Sequence, residues 1–376
     1  MKRLLMLIVV ILLAYGTKPV WEEKVHAAGI DSMLSKIEEM KNNPKVQDAF
    51  DQFYNEVNLL LIKLDESFRD LENAEHDLKG KNIDKPSLSA PDHQVFSIHN
   101  LELGDTRTAV EKELGAPDRT SLNEYGSKWH TYHEEYQNFF MVSYDEEQKV
   151  NGLYTNQDLL TSSTGIKLDS PKKDVHDQLG EPLEKIRKGL TVYQLQNNGE
   201  HEVFQVDGSF VTVFYDKHEK DTVTAVQIID DNLEQNKKGF YTEPDPKLKE
   251  GFELQLFDLT NAARVNHGLS PLIWDDQVRE TARKHSLDMA EHNYFSHTNL
   301  EGDSPFDRME EDQVAFRTAG ENLAYGQMSS IFAHEGLMNS KGHRENILQS
   351  HYEYLGVGVA FNGDAQPYYT ENFFSR

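Results

Sequence analysis

An internal repeat constrains the fold of this chain more than any other feature of its sequence. Residues 101–119 align with residues 166–184 at an offset of 65. The matched pairs are Val110 with Val175, Leu114 with Leu179, Gly115 with Gly180, and Pro117 with Pro182. Each stretch predicts a short helix that ends at Leu-Gly, because glycine supplies a C-cap and the following proline prevents continuation.

Each predicted helix is followed by a segment typical of a β-strand. β-branched and aromatic residues dominate residues 139–145 and 210–216, and an Asp closes each segment. Asp207-Gly208, just before the second segment, predicts a hairpin turn. We therefore expect two short α+β units, each with a small antiparallel sheet, packed together as one central domain over residues 96–230.

A C-terminal domain over residues 248–376 is predicted to place helices first and strands last. Its first half has apolar residues at helical spacing. They are Leu256, Leu259, Ala263 and Val265 in one helix, and Val278, Ala282 and Met289 in a second. Residues 355–361 and 368–373 predict two strands around an Asn362-Gly363 turn. The fold class is therefore α+β.

Three ordered motifs lie between these helices and strands: YFSH at 294–297, GENLA at 320–324 and MNSKGHRENIL at 338–348. With SPFDR at 304–308 and the closing strand, they resemble the CAP superfamily, also called SCP-like or cysteine-rich secretory, antigen 5 and pathogenesis-related 1 proteins. The resemblance implies a CAP fold, an α-β-α sandwich with a central cleft. The central domain resembles the CAP-associated domain found ahead of certain bacterial extracellular CAP domains, which implies no known activity.

The resemblance also implies a cleft tetrad of two histidines and two acidic residues. His297 matches the first histidine, Glu321 the first glutamate and His343 the second histidine. In eukaryotic relatives the other glutamate lies on the helix ahead of the last histidine, near Ser340 in register. Glu335 is the nearest acid on this helix and is the candidate for that place.

The chemistry of these residue types leaves two functions open. Two imidazoles that converge in a cleft, His297 and His343, can bind Zn2+ or another divalent metal, and Glu321 can orient one ring. The same groups can act as general acid and base in a hydrolase such as a peptidase. No Gly-x-Ser-x-Gly nucleophile motif is present. His334-Glu335 does not continue into a zincin motif, because Met338 stands where the second histidine would be.

The N-terminus predicts export. Lys2 and Arg3 precede an apolar run over residues 4–15, which is typical of a signal peptide. Twelve helical residues span about 18 Å, short of the roughly 30 Å hydrocarbon core of a membrane. Residues 1–27 are therefore a signal peptide, or an uncleaved membrane anchor if cleavage after Ala27 does not occur.

Residues 28–85 predict an acidic helical segment with one apolar face. Its stripe comprises Phe50, Phe53, Val57, Leu61, Leu64, Phe68, Leu71 and Leu78. Such a helix can self-associate, pack on a neighbouring domain or act as a spacer. Residues 86–95 and 231–247, both polar and proline-containing, predict linkers.

Composition narrows the classes of partner. The chain has 64 Asp and Glu residues against 38 Lys and Arg, a formal net charge of -26, and no cysteine. The charge disfavours nucleic acid as a partner and limits membrane contact to the N-terminal segment. We expect an exported binding or interaction module for a small ligand, a metal or a cell-envelope component. The alternative is an extracellular peptidase that uses His297, Glu321 and His343.

Overall fold

The computed structural model describes residues 83–195 and 199–376. The predicted leader at residues 1–27, nearly all of the acidic helical segment at 28–85 and its predicted self-association lie outside the described residues. Within the described ranges, no helix has the length and apolar character needed to cross a bilayer.

The described residues form eight α-helices and fifteen β-strands. The helices are α1 Arg107–Leu114, α2 Lys172–Leu179, α3 Asp231–Asn236, α4 Pro246–Asn266, α5 Asp276–His292, α6 Pro305–Glu311, α7 Ser330–Asn339 and α8 Lys341–Ile347. The strands are β1 Phe96–Ile98, β2 Arg119–Leu122, β3 Lys128–Glu134, β4 Gln137–Tyr144, β5 Val150–Thr155, β6 Leu160–Ser162, β7 Lys185–Lys188, β8 Thr191–Gln194, β9 His201–Val206, β10 Ser209–Asp216, β11 Thr222–Asp230, β12 Ile273–Trp274, β13 Thr318–Tyr325, β14 Tyr354–Phe361 and β15 Pro367–Ser375.

A seven-stranded antiparallel sheet forms the centre of the central domain, in the order β2-β3-β4-β5-β11-β10-β9. Strands β3 to β5 belong to the first repeat and β9 to β11 to the second. The repeats join where β5 pairs with β11, with Val226 opposite Thr155. The sequence predicted a small sheet in each repeat; the two merge because an unpaired edge strand leaves backbone groups without partners.

The helices of the two repeats end as predicted. Gly115 and Gly180 have φ angles of 82° and 81°, in the region that favours glycine, and their N–H groups bond back into the last turns of α1 and α2. Val110 and Val175 are the fully buried residues of these two helices. Both valines pack in the same apolar core as β4 and β10, so α1 and α2 cover one face of the sheet.

The other face of this sheet packs directly on the C-terminal domain. Along β4, Phe140 and Val142 belong to the core under α1 and α2, whereas Phe139 and Met141 belong to a second core. That second core includes Leu259 and Ala262 of α4 and Ile331 of α7. Strand β4 is therefore buried on both faces, which explains its uninterrupted apolar run.

The C-terminal domain is an α-β-α sandwich, which confirms the predicted fold class. Its sheet has the order β12-β14-β15-β13. Any side chain at Gly358 would overlap the backbone of Ala282, so α5 lies directly on β14. Val357 and Val359 alternate with that glycine and pack in the core that contains Leu256 of α4.

Two segments differ from the sequence predictions. The region 231–247, predicted as a linker, contains helix α3, and its Lys237 is buried. The turn predicted at Asn362-Gly363 is longer than two residues: the N–H of Asn362 bonds to the carbonyl of Gln366. Both segments pack or bond locally in ways that a polar sequence alone does not reveal.

Candidate functional site

The structure brings His297 and Glu321 into direct contact. His297 lies in the loop after α5, whose C-cap residue Asn293 has a left-handed φ of 54°. Glu321 lies on β13. Nδ1 of His297 is 2.8 Å from Oε1 of Glu321. An ionised carboxylate can only accept a hydrogen bond, so Nδ1 of His297 carries a proton and donates it to Glu321.

Arg308 forms hydrogen bonds to both of these residues. Its Nη2 donates to Oε2 of Glu321 at 2.7 Å, and its Nη1 donates to the carbonyls of His297 at 2.8 Å and Asp303 at 3.0 Å. The start of α6 is fixed by a capping box in which Ser304 and Asp307 bond to each other's backbone. The fixed start of α6 therefore positions the guanidinium of Arg308 beside His297 and Glu321.

Glu321 is ionised over the whole physiological range. Burial alone would raise its pKa, but the charge of Arg308, with smaller contributions from His285 and from His297, lowers the pKa to about 2. Both carboxylate oxygens also have partners. A group with so low a pKa is a poor proton acceptor near neutral pH.

His343 lies in the first turn of α8 and is half-buried. Burial, with a smaller contribution from nearby His297, lowers its pKa to about 4. Its backbone is held by Asn322, whose Nδ2 donates to the His343 carbonyl at 3.2 Å and to Oε2 of Glu371 at 3.1 Å. His343 is therefore neutral at pH 7, and its ring has a lone pair available for a ligand.

The structure does not bring Glu335 to the His297–Glu321 pair. Oε1 of Glu335 accepts a 2.7 Å hydrogen bond from the hydroxyl of Tyr154, a residue of the central domain. Glu335 is four residues after Ile331 on α7 and so shares its face, which packs on the central domain. Burial raises the pKa of Glu335 to about 7. The fourth tetrad place therefore has no acid from this helix.

The serines nearest to the histidines in sequence do not form a nucleophile pair. The hydroxyl of Ser296 accepts a bond from the N–H of Thr298 at 3.1 Å, within its own turn. Ser340 precedes α8 and gives that helix no side-chain cap. Within the described residues, neither hydroxyl is hydrogen-bonded to an imidazole nitrogen.

Two residues of the motif at 338–348, Asn339 and Arg344, form hydrogen bonds between the two domains. The side chain of Asn339 donates to the carbonyl of Tyr215 at 2.8 Å and accepts from the N–H of Lys217 at 2.9 Å. Nη1 of Arg344 donates to Asp216 at 2.8 Å. Sequence reasoning missed these roles, because the partners are more than 100 residues away.

Arg308 was also missed, although it stands in the SPFDR motif. The signal was available: an arginine inside a motif beside a predicted cleft needs an anionic partner when it is buried.

The residues present fit at most a weak metal site. Within residues 83–195 and 199–376, no group of three or more His, Asp or Glu side chains is placed to hold a metal ion. The donors that remain free of Glu321 are imidazole nitrogens of His297 and His343. Two imidazoles suit an exchangeable divalent cation, whereas a structural zinc site has four protein ligands.

Comparison with known proteins identifies both domains. The sequence pattern of the cysteine-rich secretory protein family, CAP, matches residues 257–373, and that of the CAP-associated N-terminal domain matches residues 103–240. The uncharacterized membrane protein YlbC of Bacillus subtilis is 30% identical over 299 residues, covering 73% of this chain and 82% of the relative. This chain belongs to the cysteine-rich secretory protein family. The CAP match includes His297, Glu321 and His343.

Other relatives of this CAP protein share one or both domains. The uncharacterized protein YkwD of B. subtilis is 37% identical over 135 residues, which are 36% of this chain and 51% of that relative. A crystal structure of an extracellular protein containing an SCP domain from Bacillus anthracis has a TM-score of 0.65 and 26% identity, covering 78% of this chain and 100% of the other. A cysteine-rich secretory protein from Staphylococcus aureus, at 16% identity and a TM-score of 0.61, shares the fold over 76% of this chain and 95% of its own.

Proposed function

We propose that this chain is an exported protein of the bacterial cell surface or medium whose CAP cleft binds a ligand rather than hydrolysing one. The predicted leader at residues 1–27 supports export. The relatives support the same location, since the B. anthracis protein is described as extracellular and YlbC as a membrane protein. Whether residues 1–27 are removed or remain as an anchor decides between medium and membrane surface.

The ionised, hydrogen-bonded state of Glu321 supports binding rather than hydrolysis. A peptidase that uses Glu321 as its general base needs that carboxylate to have a pKa near the working pH. Glu321 is instead fixed between His297 and Arg308 with a pKa of about 2. Glu335, the second acid that a two-carboxylate mechanism would use, is bonded to Tyr154. The cleft is better suited to present fixed polar groups than to transfer protons.

The ligand that we propose for the cleft is a divalent cation, Zn2+ or another. His297 and His343 would hold it through imidazole nitrogens, while Glu321 orients the first ring through Nδ1. A bound cation would supply a positive charge in the cleft for anionic groups of a small ligand or a cell-envelope component. Nucleic acid is not a partner that the net charge of -26 favours.

Calorimetry of the full chain with Zn2+ at pH 7 tests the metal-binding part of the proposal. We expect one weak site that the double variant His297→Ala/His343→Ala loses. The matched control is His292→Ala, since His292 is exposed at the end of α5 and pairs with Asp288 instead. Equal binding by the double variant and by the unchanged chain would overturn the site.

A peptide-library screen tests the choice between binding and hydrolysis. We expect no cleavage by the purified chain. Cleavage that disappears in His297→Ala, while the variant keeps its thermal unfolding temperature, would replace the binding proposal with the peptidase alternative.

A further inference from the structure

A second buried glutamate near the cleft, Glu371, lies on the opposite face of the sheet from Glu321. Strand β13 is at the edge of this sheet and pairs with β15, where Glu371 is directly opposite Asn322. Successive residues of a strand point to opposite faces, so Asn322 points away from the side on which Glu321 meets His297. Its cross-strand neighbour Glu371 shares the face of Asn322, towards α4 and α8. The proposed function uses Glu321 and leaves Glu371 without a role.

Glu371 is almost fully buried and is held by uncharged partners. It is 1% exposed. Its Oε1 accepts a hydrogen bond from the hydroxyl of Thr260 on α4 at 2.7 Å, and its Oε2 accepts from Nδ2 of Asn322 at 3.1 Å. Burial raises the pKa of Glu371 to about 7, and these two hydrogen bonds oppose that effect. The carboxyl is therefore partly protonated at pH 7, so a neutral amide is a close substitute for it.

Asn322 connects Glu371 to His343. Its Nδ2 also donates to the carbonyl of His343 at 3.2 Å, and its Oδ1 accepts from Nδ2 of Asn346 at 3.0 Å. The side chain is fully buried, and both of its polar atoms are paired. Since a carbonyl can only accept, turning the amide over would place its oxygen against the oxygen of His343. The orientation of Asn322 is therefore fixed, and Glu371 accepts one of the bonds that fix it.

The same network reaches the backbone of Glu321. Nδ2 of Asn346 also donates to the Glu321 carbonyl at 3.2 Å. His343 is in the first turn of α8 and Asn346 is in the last, so both ends of this short helix are bonded to β13. The position of His343 relative to Glu321 is therefore set by a network of buried hydrogen bonds in which Glu371 takes part.

We propose that Glu371 is a positioning residue of the cleft, which keeps His343 in place through Asn322, as Glu321 keeps His297 in place by direct contact. Each histidine then has its own buried glutamate, one on each face of the sheet. This inference rests on the proposed function, because it names how the two imidazoles of the divalent-cation site are held. Loss of a residue that orients a metal ligand typically weakens metal affinity about 10- to 100-fold.

Calorimetry of the full chain with Zn2+ at pH 7 tests the proposal with three variants. Glu371→Leu removes both acceptors and should weaken binding about 10- to 100-fold. Glu371→Gln keeps an acceptor for Asn322, and its amide can donate to the Thr260 hydroxyl, so it should bind as the unchanged chain does. Thr260→Val is the matched control, since it removes the other bond to Glu371 and leaves Asn322 linked to His343. Equal weakening by Thr260→Val and Glu371→Leu, or full affinity in Glu371→Leu, would overturn the proposal.

A second variant and a measurement without metal keep the test decisive if Glu371→Leu does not fold. Asn322→Ser breaks the link at its other end and leaves Glu371 bonded to Thr260. In chain labelled with 15N-histidine, the ring-nitrogen shifts of His343 should move in Asn322→Ser and in Glu371→Leu but not in Thr260→Val. If the unchanged chain does not bind Zn2+, the metal part of the proposed function fails, and these shifts still decide the role of Glu371. Unmoved His343 shifts in the folded variants would overturn that role.

Discussion

The hydroxyl of Tyr154 donates a 2.7 Å hydrogen bond to Oε1 of Glu335 across the contact between the two domains. Both side chains are buried, and no cation forms an ion pair with Glu335 within the described residues. The helix that carries a tetrad glutamate in eukaryotic relatives thus uses its acid here to dock the CAP-associated domain.

Replacing Glu335 with Gln should make the protein more stable at pH 8. Burial raises the folded-state pKa of Glu335 from the ordinary 4.5 to about 7. Stability is therefore highest while the group is protonated and falls as pH rises from about 4.5 through 7, by up to about 3 kcal/mol. Glu335→Gln keeps an acceptor for Tyr154 and cannot ionise, so its unfolding free energy should change less between pH 5 and pH 8. Denaturant unfolding at both pH values measures this; a variant that loses stability at pH 8 would contradict it.

Replacing Tyr154 with Phe should destabilise the protein by about 1–3 kcal/mol, because it leaves the buried Glu335 carboxyl without its donor. The loss should be larger at pH 8, where the carboxyl is charged. Thermal unfolding of the variant checks the prediction. Tyr193→Phe serves as the control, since that hydroxyl makes only an exposed 3.4 Å bond; similar losses in both variants would argue against a special role for Tyr154.

Replacing Arg308 with Gln should cost about 3–5 kcal/mol at pH 7, because Glu321 would remain as a buried charge that keeps only its hydrogen bond to His297. The pKa of Glu321 should rise, since the guanidinium that opposes the effect of burial would be gone. In the unchanged chain, the contribution of this ion pair is present above about pH 4.5 and is lost as pH falls toward 2.

A double-mutant cycle separates the pair from general packing effects. Arg308→Gln combined with Glu321→Gln should lose less stability than the sum of the single variants. Additive losses would mean that the two side chains act independently.

Replacing Gly251 with Ala should destabilise the two-domain unit by about 1–3 kcal/mol, because a Cβ there would overlap the carbonyl oxygen of Leu122. Gly336, on α7, provides the matched control: a Cβ there meets nothing within 4 Å. Gly336→Ala should be neutral or stabilising by up to about 1 kcal/mol, as expected for a helix interior. Urea unfolding of both variants gives the comparison, and equal behaviour would show that the domains can move apart at no cost.

Local signals in the sequence predicted some of the elements, among them α1, α2, β4 and β10. Gly115 and Gly180 marked the ends of α1 and α2, because a left-handed backbone angle after a helix is a local requirement. The β-branched and aromatic residues at 139–145 and 210–216 predicted strands, which the structure has as β4 and β10. The sequence did not reveal that the second face of β4 is covered by α4 and α7, since that depends on contacts between distant segments.

The candidate site was also only partly predictable from the sequence. His297, Glu321 and His343 were recognised from ordered motifs, and the structure places His297 and Glu321 in contact. Glu335, the candidate for the fourth place, bonds to Tyr154 instead, because proximity in sequence to His343 does not determine which face of α7 a side chain occupies. Its position on the face of Ile331 follows from helical periodicity once that face is known to pack on the central domain.

The close approach of Gly251 to Leu122 constrains the length of β2 in related proteins. α4 meets β2 through main-chain atoms: the Leu122 carbonyl lies against Gly251 and accepts from Nε2 of Gln255 at 2.8 Å. A substitution at Leu122 leaves that carbonyl in place, whereas an insertion or deletion in β2 would shift it along the helix. Relatives with both domains should therefore conserve the length of this strand.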